Sequence, residues 1–347
     1  VNIYQDIIEY IDQVPVTQLR LINANGVEAH LLTLGATLQA FLIPNEKQPK
    51  NIILGHDRPS DYLKNPLCAG QTIGRVAGRI KRGSFQLEQQ RVCVDTNENG
   101  HCLHGGLKGF HKLHWPYDTR QTADYLEVTF KKDILEADDH FPGDLTVSIT
   151  YRLDNHNRLS IHFKAYSMRG TSLFNPTNHV YFNLGQTQDL TNHNLYIAAS
   201  HRIETDNELI PTGQKLAVDQ TVYDFRSIKP LYPAIVENNG FDTAFEIDQQ
   251  AIGTTQPIAV LQDSSSHDQI SIYSDRNALV IYTMDSIQDG LYFGRDQGKV
   301  GLAREGIAME AQTLPDAIHH NQFGDIILKE GDIKSYTICL AYEHLPD

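Results

Sequence analysis

The sequence predicts an all-β protein, a large antiparallel β-sandwich with few short helices, and three observations carry that reading. Apolar residues recur at every second position along most of the chain, as in Leu145, Val147, Ile149, Tyr151 and Leu153. That is the period of a half-buried strand, whose side chains point alternately to opposite faces. Turn residues punctuate these runs; Asp154-Asn155-His156-Asn157 separates the first from Leu159, Ile161, Phe163 and Ala165. Asp and Asn tolerate turn dihedrals and bond their own backbone, so the pair of runs reads as a hairpin. Helical periodicity is scarce.

Taken in chain order, Tyr4–Ile11 is expected as a short helix and the region from Asp57 to Leu63 as a second. Leu126, Val128 and Phe130 mark a strand, the hairpin follows, and Ile270 with Ile272 marks another. Tyr336, Ile338, Leu340 and Tyr342 mark the last. The acidic run Glu136 to Gly143 lacks the order of a calcium loop and reads as a solvated turn before Leu145. No linker, charge block or fixed-period repeat interrupts the chain. One domain spanning 1–347 is expected, ahead of two all-β domains.

A net charge of −14 disfavours nucleic acid and anionic membranes, both of which would be repelled. A neutral small molecule is indifferent to it. Cys68, Cys93, Cys102 and Cys339 form no C-x-x-C pair and read as free thiols of a cytoplasmic protein. The first twenty-two residues include Asp6, Glu9, Asp12 and Arg20, which fits neither a leader peptide nor a membrane span.

Five segments carry polar groups that a strand core does not need. In Asn175 to Leu184, a strand reading places Val180, Phe182 and Leu184 on one face and His179, Tyr181 and Asn183 on the other. Imidazole, phenol and amide side by side suit a sugar, although a strand histidine also serves as a satisfied structural residue. Gly74 to Ile80 sets Arg75 and Arg79 after glycines, and solvated turn arginines are the plain reading. Asn99 to Trp115 holds four histidines. Its glycines argue for a loop that holds one histidine, Trp115 being nearby in sequence, at a pocket edge, not for a rigid metal-ligand face. Asp242 lies between Phe241 and Phe245, either a turn aspartate or a ligand group. Glu310 and Gln312 share a strand face inside an apolar run, where an acid is costly unless paired or functional. Neither G-x-G-x-x-G nor a P-loop occurs.

Together these segments resemble the aldose 1-epimerase (galactose mutarotase) family from about Asn25 to Tyr342. The motifs are GRVAGRI (74–80), HCLHGGLKGFHKLHW (101–115), FPG (141–143), NPTNHVYFNLG (175–185), GFDTAF (240–245) and MEAQTLPDA (309–317). Each is weak alone; their shared order is specific. The resemblance implies a galactose mutarotase-like sandwich and a sugar enzyme that needs neither metal nor cofactor. It implies Glu310 as general base and His179 as general acid, with Arg79, His104 and Asp242 binding the sugar. A monomer or homodimer is expected. Gly78, Pro176, Tyr282–Ser286 and His319-His320 depart from the family pattern and leave the preferred sugar open.

The chemistry fits those residue types. Opening a pyranose removes a proton from the anomeric hydroxyl and delivers one to the ring oxygen; reclosure on the other carbonyl face exchanges the anomers. A carboxylate and an imidazolium on opposite sides of the sugar are expected to do both, which requires His179 to hold its proton at neutral pH. Galactose and glucose are the default substrates. Alternatives are maltose, a hexose 6-phosphate held by Arg75, Arg79, Lys81 and Arg82, or a non-catalytic carbohydrate-binding sandwich.

Overall fold

The computed structural model describes residues 1–46 and 48–346, and antiparallel sheet dominates them. A nine-stranded sheet runs, in spatial order, Tyr117–Gln121, Tyr125–Ile134, Asp144–Asp154, Arg158–Arg169, Ile333–His344, Asp268–Ser274, Ala259–Asp263, His193–Ile197 and Lys229–Pro230. Its centre is the expected hairpin, with Leu153 opposite Leu159 and Ile149 opposite Phe163. The turn closes as its residues predict: Asp154 Oδ1 accepts the amides of His156 and Arg158 at 2.8 and 3.0 Å. A six-stranded sheet runs Tyr181–Phe182, Ile307–Gln312, Ala278–Tyr282, Asp242–Glu246, His201–Thr205 and Pro211–Ala217. Five N-terminal strands, Asn2 to Asn51, form a third sheet.

One continuous core joins all three. It takes Val147, Ile149 and Phe163 from the large sheet, Phe182, Phe245, Leu279, Ile281 and Met309 from the second, and Leu19, Leu31 and Phe41 from the third. Each apolar side chain removed from water stabilises the fold by about 1.5–3 kcal/mol.

The strands predicted around 126–130, 145–153, 159–165, 270–272 and 336–342 are present, and the short helix near 57–63 is Pro59–Tyr62. Of the other local expectations, one fails here and one holds only in part. Tyr4–Ile11 is not a helix but most of the strand Asn2–Ile11, paired with Val14–Ile22. This edge strand is largely exposed, so its apolar residues do not alternate sharply and its pattern mimics a helix. The run from Glu136 is a turn exposed at Glu136, Ala137, Asp138 and His140, but it is not solvated throughout. Glu136–Asp139 is a helical turn whose Asp139 is buried, held by Arg75 at 2.7 and 2.8 Å.

Candidate active site

The six-stranded sheet shows one face to the core and the other to a cavity of about 550 Å³. Alternation decides which residues go where. Asp242 and Ala244, Val280 and Tyr282, and Glu310 and Gln312 line the cavity. Thr243, Phe245, Leu279, Ile281, Met309 and Ala311 point the other way, and the apolar ones join the core. Register then brings distant segments together. Glu310 lies opposite Val280, and Val280 opposite Ala244. Tyr181 pairs with Ala308 and Phe182 with Ile307; the same register carried two residues back sets His179 opposite Glu310. Bonds from Met309 N to Val180 O (3.3 Å) and from Thr177 Oγ1 to Ala311 O (2.8 Å) hold that extension.

The 175–184 segment is therefore not one strand. It is two short ones, Thr177–Asn178 paired with Thr72–Ile73 and Tyr181–Phe182 paired with Ile307–Ala308, with His179 at the break. His179 and Tyr181 face the cavity, but Asn183 does not. It is buried, and its amide donates to the carbonyls of Glu305 and Thr187 at 2.7 and 2.9 Å.

His179 Nε2 lies 3.4 Å from Glu310 Oε1, both side chains nearly inaccessible. They sit side by side on adjacent strands, not on opposite sides of a ligand. Burial pulls the His179 imidazole down to about 4. Burial, reinforced by the Asp242 carboxylate and opposed by the Arg79 guanidinium, pushes Glu310 up to about 8. The pocket thus favours neutral imidazole over the expected imidazolium, because a low-dielectric setting favours the neutral form of each group. Acid plus neutral imidazole nonetheless hold as many protons as carboxylate plus imidazolium.

Tyr181 stacks on the His179 ring (5.0 Å between centroids, 28° between planes) and meets Tyr282 edge-on at 6.3 Å. His104 meets His179 edge-on at 5.2 Å. Its Nδ1 accepts the Gly78 amide at 3.3 Å, so the neutral ring carries its proton on Nε2. Burial keeps it neutral by holding its pKa well below the usual histidine value. The loop geometry behind this is specific to glycine. Gly78 has φ +71°, and a Cβ on Gly105 (φ +82°) would lie 1.9 Å from the Gly74 carbonyl. Arg79 is held by Glu98 at 2.6 and 3.0 Å and lies 3.9 Å from Asp242. Asp242 opens to the cavity, a third exposed, and its pKa is raised by burial against the pull of Arg79.

Three buried polar atoms in this cavity have no partner: Glu310 Oε2, His179 Nδ1 and Gln312 Oε1. Buried polar groups are nearly always paired, so the orphans are groups available to a ligand. His104, His179 and Glu310 offer donor atoms within 4.8 Å of one another, and among the described residues this is the group that could also hold a metal ion. His101 and His111 belong to no such group. A larger open depression of about 930 Å³ lies elsewhere, along Gln39, Lys50 and Arg295. It contains none of the paired acid–base groups.

The structure brings Glu310, His179, Arg79, His104 and Asp242 to one cavity. Glu98, which orients Arg79, escaped the sequence reading; the only sign was an acid in the turn just before His101. One expectation is corrected. Arg75 is fully buried, bound to Asp139 and to the carbonyls of Pro142 and Gly143 at 2.9 and 2.8 Å, not solvated. The histidine-rich loop does set one histidine, His104, on the cavity wall, while Trp115 is buried in the core and donates to the Phe110 carbonyl at 3.1 Å. The four-cation phosphate site also does not assemble, since Arg79 is the only lysine or arginine on the cavity wall among the described residues.

Comparison with known proteins gives the same picture. The aldose 1-epimerase family model matches residues 17–341. An aldose 1-epimerase of Streptococcus thermophilus is 50% identical over 338 residues, covering 97% of each chain. A maltose epimerase of Levilactobacillus brevis is 37% identical, covering 96% of each. Among solved structures, a galactose 1-epimerase from Lactobacillus acidophilus superposes with a TM-score of 0.84 at 27% identity, covering 99% of this chain and 98% of that one. An aldose epimerase homologue from C. elegans gives 0.87 at 27% identity, covering 95% and 99%. This chain, with its sandwich and its acid–base cavity, therefore belongs to the aldose 1-epimerase family and is an isomerase.

Proposed function

We propose that this cavity interconverts the α and β anomers of a free aldohexose such as galactose or glucose, with Glu310 as base and His179 as acid. The observation that carries the reading is the 3.4 Å approach of Glu310 to His179 at the buried part of a cavity with unpartnered polar atoms. Side-by-side placement suits the reaction, because the anomeric hydroxyl and the ring oxygen are bonded to the same carbon. As sugar binds, the single labile proton shared by the pair moves to His179, leaving Glu310 as carboxylate. Glu310 then takes the anomeric hydroxyl proton while His179 gives its own to the ring oxygen, and the C1–O5 bond breaks to the open aldehyde. Rotation about C1–C2 and the reverse transfers close the ring as the other anomer. Positioned acid–base groups contribute roughly 10²- to 10⁴-fold each.

In the same reading, Arg79, His104 Nε2–H and Asp242 hold the sugar hydroxyls. Arg79 is already braced by Glu98 and does not need to reorganise. No step calls for a metal or a cofactor. The acid-rich wall (Glu98, Asp242, Asp285 and Glu310 against Arg79) favours a neutral sugar over a phosphorylated one. We place the protein in the cytoplasm, on the strength of its four free cysteines. No helix among the described residues is long and apolar enough to cross a membrane.

Polarimetry of freshly dissolved α-D-galactose and α-D-glucose tests the proposal. Equilibration faster than the buffer blank, without added cofactor and lost in Glu310→Gln, is the expected result. Wild-type protein that accelerates neither sugar would overturn it.

A further inference from the structure

The mouth of the cavity carries a side chain whose backbone setting calls for explanation. The hairpin joining His201–Thr205 to Pro211–Ala217 closes over 206–210. Asp206 Oδ1 accepts the amides of Glu208 and Ile210 at 2.9 and 3.1 Å, and Leu209 N donates to Asp206 O at 3.0 Å. This network forces residue 209 into the left-handed region, with φ +60°. Glycine or asparagine usually fills such a position, since a larger side chain there is strained. Here it is leucine. The side chain is 38% exposed and lines the cavity.

The rest of the tip is anchored, not loose. Glu208 lies 3.6 Å from the buried His101 and 3.9 Å from Arg82. The other exposed residues of the cavity wall are Pro66, Asp242 and Ser286, and Tyr282 is half-buried. The reacting groups Glu310 and His179 are buried. A sugar whose anomeric carbon reaches Glu310 and His179 therefore directs whatever it carries beyond its own ring toward this rim. At this rim Leu209 and Pro66 supply apolar surface, which matches the C–H face of a pyranose, while Asp242 and Ser286 are polar.

We propose that Leu209 is a specificity-determining residue that forms, with Pro66 and Tyr282, an outer subsite for the second ring of a reducing disaccharide such as maltose. This rests on the epimerase reading above. Strain retained at a hairpin tip is explained when the side chain it carries is used. Removing that side chain relieves the backbone and empties the subsite.

The test compares kcat and KM for glucose and maltose, followed by polarimetry, in wild type, Leu209→Gly and Leu209→Met. Leu209→Gly is expected to lower the maltose-to-glucose ratio of kcat/KM by about 10-fold, in KM and not in kcat, since loss of an apolar contact weakens binding without touching the proton transfers. Its Tm is expected not to fall, because glycine accepts the left-handed conformation. Leu209→Met, which restores reach and apolarity, is expected to return the ratio. An unchanged ratio in Leu209→Gly overturns the inference, as does an effect confined to kcat. Wild-type protein that mutarotates glucose but not maltose also overturns it and leaves the epimerase reading intact; activity on neither sugar sinks that reading itself.

Discussion

Glu310 and His179 form a pair whose ionisation is set by the pocket and not by either side chain alone. With burial driving one group to about 8 and the other to about 4, the pair holds one labile proton between those values. It gains a second below them and has none above, so kcat/KM is expected to follow a bell with limbs near about 4 and about 8. A profile flat from pH 4 to 9 would contradict this. Glu310→Gln is expected to cut the catalysed rate by roughly 10²- to 10⁴-fold and His179→Asn by a similar factor, measured by polarimetry. Stability moves the other way. The folded value of Glu310 lies above its unfolded value near 4.5, so stability present below pH 4.5 is lost progressively as pH rises toward 8. Glu310→Gln removes that loss, and urea unfolding at pH 8 is expected to show the variant more stable by about 1–4 kcal/mol.

Strand register and one loop place these groups. The alternation in 307–312 was legible, and Glu310 with Gln312 does share a face. The partner strand was not legible, because pairing between residues 181 and 308 leaves no mark in local periodicity. His104 depends on the loop behind it, where Gly105 packs against the Gly74 carbonyl in a left-handed conformation. Gly105→Ala adds both a clash and a strained φ, displacing His104. It is expected to raise KM for hexose about 10-fold with a smaller change in kcat, since the proposed mechanism has His104 bind the sugar without transferring protons. Unchanged KM would remove His104 from the binding set. The mistaken helix at Tyr4–Ile11 has the same root: an edge strand gains its identity from a neighbour, here Val14–Ile22, and not from its own pattern.

Across the whole molecule, Arg75 ties its loop to the connections that flank strands of the nine-stranded sheet. From the loop that leads to Arg79 it reaches Asp139, the 142–143 carbonyls and Ser172. Breaking such a buried pair leaves an uncompensated charge, so Arg75→Met is expected to cost about 3–5 kcal/mol in denaturant unfolding. A loss below about 1 kcal/mol would show that the tie is dispensable. The charge of −14 has its own consequence. A neutral hexose feels no long-range field, so its KM is expected to change less than about 2-fold as NaCl rises to about 0.5 M. A steep salt dependence would point to a charged substrate instead.

By itself the sequence determined the all-β class, the central hairpin, the polar segments and, through their resemblance to a family, five residues that meet at one cavity. These are readable because strand period, turn chemistry and motif order are local properties of the chain. Only the tertiary structure decided that His179 stands beside Glu310 instead of across a ligand. It also decided that burial favours the neutral form of both, that Arg75 is a buried tie and not a surface charge, and that Glu98 braces Arg79. Each of these depends on which strands pair and how deeply a group is removed from water. Register and dielectric are properties of the assembled fold, set by contacts that local periodicity does not record, from Arg79 with Glu98 nearby in the chain to His179 with Glu310 far along it.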